Sequence, residues 1–151
     1  MTTVASILPA AFEASEQWND RRIRALAMYC SDGRWGDAFD EFCHTRLHIP
    51  RYDRFAIPGG PAALAEDSQP AWEQLALLVK THELQRIVLI SHFGCAYYMH
   101  KLGGDANGCL EHQVEDLEWA AELVKIRFPQ VCVENFVAMR EGGRMTFHRV
   151  V

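Results

Sequence analysis

Cys30, Asp32 and Arg34 stand at alternate positions in "AMYCSDGRW", where an apolar run gives out. A second apolar run ends in "SHFGC", which supplies His92 and Cys95. Two thiolates and one imidazole form a good zinc set, and three protein ligands leave a fourth position for water. The charges of two thiolates and a neutral imidazole balance Zn²⁺. A water bound there ionises with a pKa of about 7 in well-tuned sites, which makes a hydroxide nucleophile at neutral pH. Asp32 then has two roles open to it. It can accept a hydrogen bond from the zinc-bound water or hydroxide and orient it, or it can bind the metal and close the site. A bidentate pair with Arg34 holds a carboxylate off the metal and keeps it ionised.

These residues converge only if their strands are neighbours. "IRALAMYC" (23–30) reads as a strand that delivers Cys30, and "RIVLISH" (86–92) as a buried strand that delivers His92. "YDRFAIPGG" (52–60) reads as a short strand stopped by Pro58 and two glycines. The spacing predicts helices over 35–48, over 69–84 with Pro70 in the first turn, and over 109–128. "QVCVENFVAM" (130–139) and "RMTFHRV" (144–150) read as strands joined by "REGGR". Alternating strands and helices imply an α/β fold: a mainly parallel sheet, about four parallel strands plus an antiparallel edge strand, flanked by helices. Ligands of such sheets bind beyond the carboxyl ends of the strands, where both motifs fall. Residues 1–151 read as one domain, with residues 1–20 an N-terminal helical arm and "AAFEASEQWNDRR" a helix that packs outside the sheet or on a partner chain.

Bulk properties narrow the class. With 15 basic and 20 acidic residues, the net charge of −5 argues against nucleic acid as a partner. No apolar run approaches the roughly 18 residues that span a bilayer. The first residues lack a basic region and do not read as a secretory signal. Five cysteines at 30, 43, 95, 109 and 132, an odd count, suggest reduced thiols and a cytoplasmic location. Thiol redox chemistry has little support, because no Cys-x-x-Cys occurs.

Other reactive residues have plainer readings. Cys43 and Cys132 lie on core faces of their elements and read as buried. His44 and His48 are spaced for a helical metal pair but lack a third donor, so a solvated or capping role fits them. Cys109 and His112 could open a rival metal site, yet "GGDANG" before them marks a helix start. His100 is a candidate proton shuttle, or an exposed histidine without a role. Tyr97 and Tyr98 read as lining a pocket or as packing. "PGG" at 58–60 either shapes a cavity wall through close backbone approach or ends a strand.

"CSDGR" followed by "HFGC" resembles the Cys-x-Asp-x-Arg and His-x-x-Cys motifs of the β-class carbonic anhydrases. "FAIPGGPA" falls where that family has a glycine-containing segment, and "VENFVAMREGGRMTFHRV" resembles its closing strand–turn–strand. The resemblance implies zinc held by Cys30, His92 and Cys95, with Asp32 and Arg34 as a catalytic dyad. It implies reversible hydration of carbon dioxide to bicarbonate, and a homodimer or higher homo-oligomer. The chain departs from the pattern where Gly94 precedes Cys95, where Ala96, Tyr97 and Tyr98 follow it, and where "PGG" replaces an Arg-Asn segment. It looks like a small, divergent branch. Alternatives on the same scaffold are hydrolysis of CS₂ or COS by zinc hydroxide, and a non-catalytic zinc- or bicarbonate-binding protein closed by Asp32.

Overall fold

The computed structural model describes residues 7–150. In chain order these form β1 (Ala25–Tyr29), α1 (Gly36–Glu41), a π-helical turn (Phe42–Arg46), β2 (Asp53–Ala56), α2 (Ala62–Ala65) and α3 (Gln69–His82). There follow β3 (Arg86–His92), α4 (Ala96–Leu102), α5 (Ala106–Arg127), β4 (Cys132–Glu141) and β5 (Arg144–Arg149). The sheet order is β2-β1-β3-β4-β5. The first four strands run parallel, and β5 returns antiparallel to β4 through the glycine turn, as expected.

Strand β1 packs between β2 and β3, so the winding changes direction between β1 and β3. That reversal is the switch point at which doubly wound sheets open a crevice. Met28 of β1 pairs with Leu89 of β3, which brings Cys30, just past β1, beside the His92 end of β3.

Alternation along the strands sends Leu26, Met28, Ile87 and Leu89 to one face, where Trp72, Leu75 and Val79 of α3 and Leu117, Ala120 and Val124 of α5 cover them. Ala25, Ala27, Tyr29, Val88 and Ile90 face the other way, onto Trp35, Phe39, Phe42 and Cys43. The central strands are therefore apolar almost throughout, as a sheet covered on both faces requires.

The helix expected over 35–48 is shorter: α1 passes into the π-helical turn and ends at Arg46. This breaks the spacing of His44 and His48, which are both exposed. Helix α5 begins at Ala106 because the Asp105 carboxylate accepts the Gly108 amide at 2.7 Å. Helices α2 and α4 are too short to show a period in the sequence. The N-terminal helical arm is not borne out where it can be described: residues 1–6 lie outside the described residues, and no helix occurs over 8–24. Phe12 and Trp18 there are 84% and 90% exposed, so no packed apolar face offsets the cost of ordering a short helix. Cys132 is also corrected: it is exposed at the first position of β4, whose fully buried stretch is Phe136–Ala138. Cys43 is fully buried, and burial pushes its thiol up to about 11, an inert state.

Candidate metal centre

Cys30 follows the last residue of β1, His92 ends β3, and Cys95 precedes α4. One donor atom from each lies within 4.8 Å of the others, and all three residues are buried. The two sulfurs are 3.9 Å apart. Sulfurs sharing a tetrahedral zinc, each at about 2.3 Å, stand about 3.8 Å apart. A disulfide needs about 2.05 Å.

The His92 ring is prepared on its far side. Its Nδ1 lies 3.0 Å from the Phe93 carbonyl, an N–H donor contact that leaves the Nε2 lone pair free. Nε2 is buried and has no hydrogen-bond partner. A buried polar atom without a partner is costly, and a cation between it and the thiols would satisfy it. Trp35 packs against the imidazole with centroids 5.1 Å apart, limiting its rotation. Gln113 of α5 donates to the His92 carbonyl at 2.8 Å and to Ser91 Oγ at 3.0 Å. Gln113→Leu is expected to leave both acceptors unpaired and cost about 1–3 kcal/mol, read as a lower urea midpoint at unchanged slope.

The thiols titrate as a pair. The hydrogen bond with Cys95, helped by His92 and the amides of Gly59 and Asp32, brings the Cys30 thiol down to about 4 against desolvation. The same contact with Cys30, together with burial, pushes the Cys95 thiol up. One thiolate forms easily and opposes the second. A divalent cation removes that opposition, so the donor set suits a metal that takes thiolate and imidazole.

Asp32 is held by its neighbour. Arg34 Nε donates to Oδ1 at 3.0 Å and to Oδ2 at 3.2 Å, and Nη2 donates to Oδ2 at 2.7 Å. The Arg34 backbone amide adds a contact to Oδ1 at 3.0 Å. These bonds, the side-chain bonds from Arg34 first, hold the Asp32 carboxyl at about 2. The side chain of Asp32 is 19% exposed and that of Arg34 is 79% exposed, so the clamp sits on the solvent side.

The "PGG" turn supports the Cys30 end. Ile57 and the Tyr29–Ser31 backbone exchange hydrogen bonds beyond β2, and Gly60 then passes against β1. A Cβ on Gly60, where φ is +52°, would stand 2.7 Å from the Tyr29 carbonyl carbon and 2.9 Å from the Cys30 nitrogen. Gly60→Ala is therefore expected to push the backbone that carries Cys30, costing about 1–3 kcal/mol and weakening metal retention. Thermal unfolding and metal content check this.

The remaining residues do not join the donor group, although Cys109 and Tyr98 pack in one buried cluster with Cys30 and Cys95. Cys109 is buried, while His112 pairs with Asp116 at 3.6 Å. Among the described residues, Cys30, His92 and Cys95 are the one group of three such donors. His100 is exposed on α4. Tyr98 is buried and donates to Asp116 at 2.7 Å, whereas Tyr97 lies over Gly59. Trp35 and Gln113 escaped the reading of the sequence. Gln113 had a signal: it is a polar residue on the apolar stripe of Leu110, Val114 and Leu117.

No family model matches the chain. It is similar to an uncharacterized protein of Rickettsia conorii, 25% identical over 126 residues that make up 78% of this chain and 68% of that one. A second, from Rickettsia bellii, is 23% identical over 78% of this chain and 77% of its own. Among solved structures, β-carbonic anhydrase isoform I of Trichomonas vaginalis superposes with a TM-score of 0.55, at 14% identity, covering 87% of this chain and 86% of that one. The β-carbonic anhydrase CafD of Aspergillus fumigatus gives a TM-score of 0.56 at 10% identity, covering 87% and 91%. With its switch point between β1 and β3 and its antiparallel closing strand, this chain has the β-carbonic anhydrase fold in a divergent form.

Proposed function

We propose that the chain is a zinc-dependent lyase that hydrates carbon dioxide reversibly to bicarbonate. One observation carries the reading: the unpartnered Nε2 of His92 is buried with two thiols, next to a carboxylate that Arg34 holds ionised. Zinc on this donor set supplies a Lewis-acid centre that brings a coordinated water to a pKa of about 7.

The chain's own residues do the rest. Cys30 and Cys95 contribute the negative charge and His92 a neutral lone pair. Asp32 stays ionised throughout the working range, so it acts there as an acceptor and never as an acid. An acceptor fixed in place orients an O–H and turns the oxygen lone pair toward the substrate, at no reorganisation cost during reaction. The Arg34 clamp supports the open site over one closed by Asp32, because both carboxylate oxygens are already engaged. Trp35 and Phe93 supply apolar surface next to His92, which suits a small uncharged substrate better than a charged one.

Association of two or more chains belongs to the same reading. Phe12 and Trp18 offer exposed apolar surface for it, and the mass in solution checks it. Among the described residues no helix is long and apolar enough to cross a membrane.

Metal analysis coupled to stopped-flow carbon dioxide hydration tests the function. The expected result is about one zinc per chain and a rate that rises with pH through a single titration. Zinc-loaded protein inactive at about pH 8.5, well above the ~7 of such a water, would overturn the enzymatic reading. Turnover of CS₂ or COS without carbon dioxide would move it to hydrolysis.

A further inference from the structure

We propose that the cavity at the amino ends of β1, β2 and β3 binds a small anion carrying two phosphoryl groups, pyrophosphate or a diphosphate ester. The cavity measures about 520 Å³, within the roughly 300–1,000 Å³ of ligand pockets. Arg21, Arg22, Arg24, Arg51 and Arg86 line it, and no carboxylate does. It lies apart from the metal donors: Arg86 opens β3 and His92 ends it, about 20 Å further on at about 3.3 Å per residue.

Strand order and register gather the charge. β2, β1 and β3 are adjacent and parallel, so their amino ends share one edge. Arg86 pairs with Ala25, next to Arg24. Asp53 pairs with Leu26, so Arg51, two residues before Asp53, stands level with Arg24. The segment that leads into β1 brings Arg21 and Arg22 to the same cavity. Like charges set side by side in a sheet are destabilising, and a bound polyanion removes that cost.

Glu83 pairs with Arg22 and Arg24, and Glu134 with Arg86. Arg51 donates to the Asn19 and Arg21 carbonyls at 3.0 and 3.1 Å, which fixes its guanidinium without a counter-charge. Neither Arg21 nor Arg51 forms an ion pair among the described residues. Five guanidinium groups against two carboxylates leave an excess of three positive charges, on a chain whose net charge is −5. All but Arg86 are exposed, so the attraction does not depend on desolvation. It comes from the field of a concave surface of one sign. A phosphate monoester carries about −1.5 to −2 at pH 7, so a single one leaves part of the excess and two phosphoryl groups cancel it. Guanidinium forks take phosphate oxygens in pairs. No Phe, Tyr or Trp lines the cavity, so phosphoryl groups rather than a stacked base carry the recognition. One basic concavity on an acidic chain suits a small anion better than a nucleic acid strand, which needs basic surface along its length.

Isothermal titration calorimetry of sodium pyrophosphate into the full chain, at constant ionic strength, tests the site. Saturable binding of about one pyrophosphate per chain is expected, weakening in a second series at higher salt. The Arg21 side chain makes no hydrogen bond or ion pair among the described residues, so its replacement spares the fold. Arg21→Gln is expected to weaken binding about tenfold, and Arg21→Glu further. Arg51→Lys keeps the charge without the fork and is expected to fall between wild type and Arg51→Gln. Pyrophosphate also coordinates metals, so Cys95→Ala is titrated in parallel and is expected to bind it as wild type does. Absence of saturable binding, or affinity unchanged in both Arg21→Glu and Arg51→Gln, overturns the site. Loss of binding in Cys95→Ala overturns it too, by placing pyrophosphate at the metal donors. Orthophosphate binding as tightly as pyrophosphate overturns the requirement for two phosphoryl groups. A single-stranded oligonucleotide that binds more tightly and displaces pyrophosphate overturns the choice of a small ligand. Carbon dioxide hydration enters none of these measurements, so the site and the proposed function stand or fall separately.

Discussion

Asp32→Asn is expected to keep about one zinc per chain and to lose about a hundredfold or more of the proposed carbon dioxide hydration, with stopped flow beside metal analysis as the check. The substitution preserves shape and reverses one polar end. An amide presents an NH₂ group where Arg34 needs an acceptor, so the clamp of three side-chain contacts cannot be remade. The three proposed donors are untouched, which separates metal binding from turnover. Undiminished activity in Asp32→Asn refutes the role assigned to this carboxylate.

The acid behaviour of the wild type follows from the same clamp. The Asp32 carboxyl is depressed in the folded chain, to about 2, by its bonds to Arg34. A depressed carboxyl stabilises the folded state above its unfolded value of about 3.9, and that contribution fades as pH falls toward the folded value. Under the proposed function, any loss of hydration between about pH 8 and pH 5 therefore belongs to another group, a zinc-bound water foremost. A pH–rate profile of Arg34→Ala is expected to show an added acid limb near pH 4, as Asp32 returns toward an ordinary carboxylate. An unchanged profile in that variant would show that Arg34 does not set the ionisation of Asp32.

Cys95→Ala is expected to have the other large effect: zinc content falls from the proposed one per chain to near zero, and hydration goes with it. Cys95 precedes α4, and the Tyr98 and Tyr97 amides of its first turn favour its thiolate, so its removal also takes a partner from the start of that helix. What is lost is one thiolate of a set whose charges balance the cation, along with the contact that lowers the Cys30 thiol. Far-ultraviolet circular dichroism of the variant is expected to match that of metal-stripped wild type. Tight, stoichiometric zinc in Cys95→Ala would end the ligand assignment.

Much of this architecture is written in local pattern. The unbroken run Ile87–Ile90 marks a strand buried on both faces, and β3 is that strand. The spacing of Leu117, Ala121 and Val124 marks the buried stripe of α5. Gly142 and Gly143, at φ +54° and +80°, make the turn that returns β5 antiparallel. The N-terminal segment shows the limit of such pattern. Its residues are compatible with a helix, yet over 8–24 nothing packs on them, and packing supplies most of the stability of a short helix.

The sequence by itself determined the donor types, their placement at two strand ends, and the pairing of Asp32 with Arg34, because each is a matter of residues within a few positions of one another. Only the tertiary structure decided that β1 lies beside β3, that Gln113 braces the His92 carbonyl, and that Gly60 presses on the Tyr29–Cys30 backbone. Those contacts join residues from different elements. They depend on strand order and register, which long-range pairing and packing settle and no local period records.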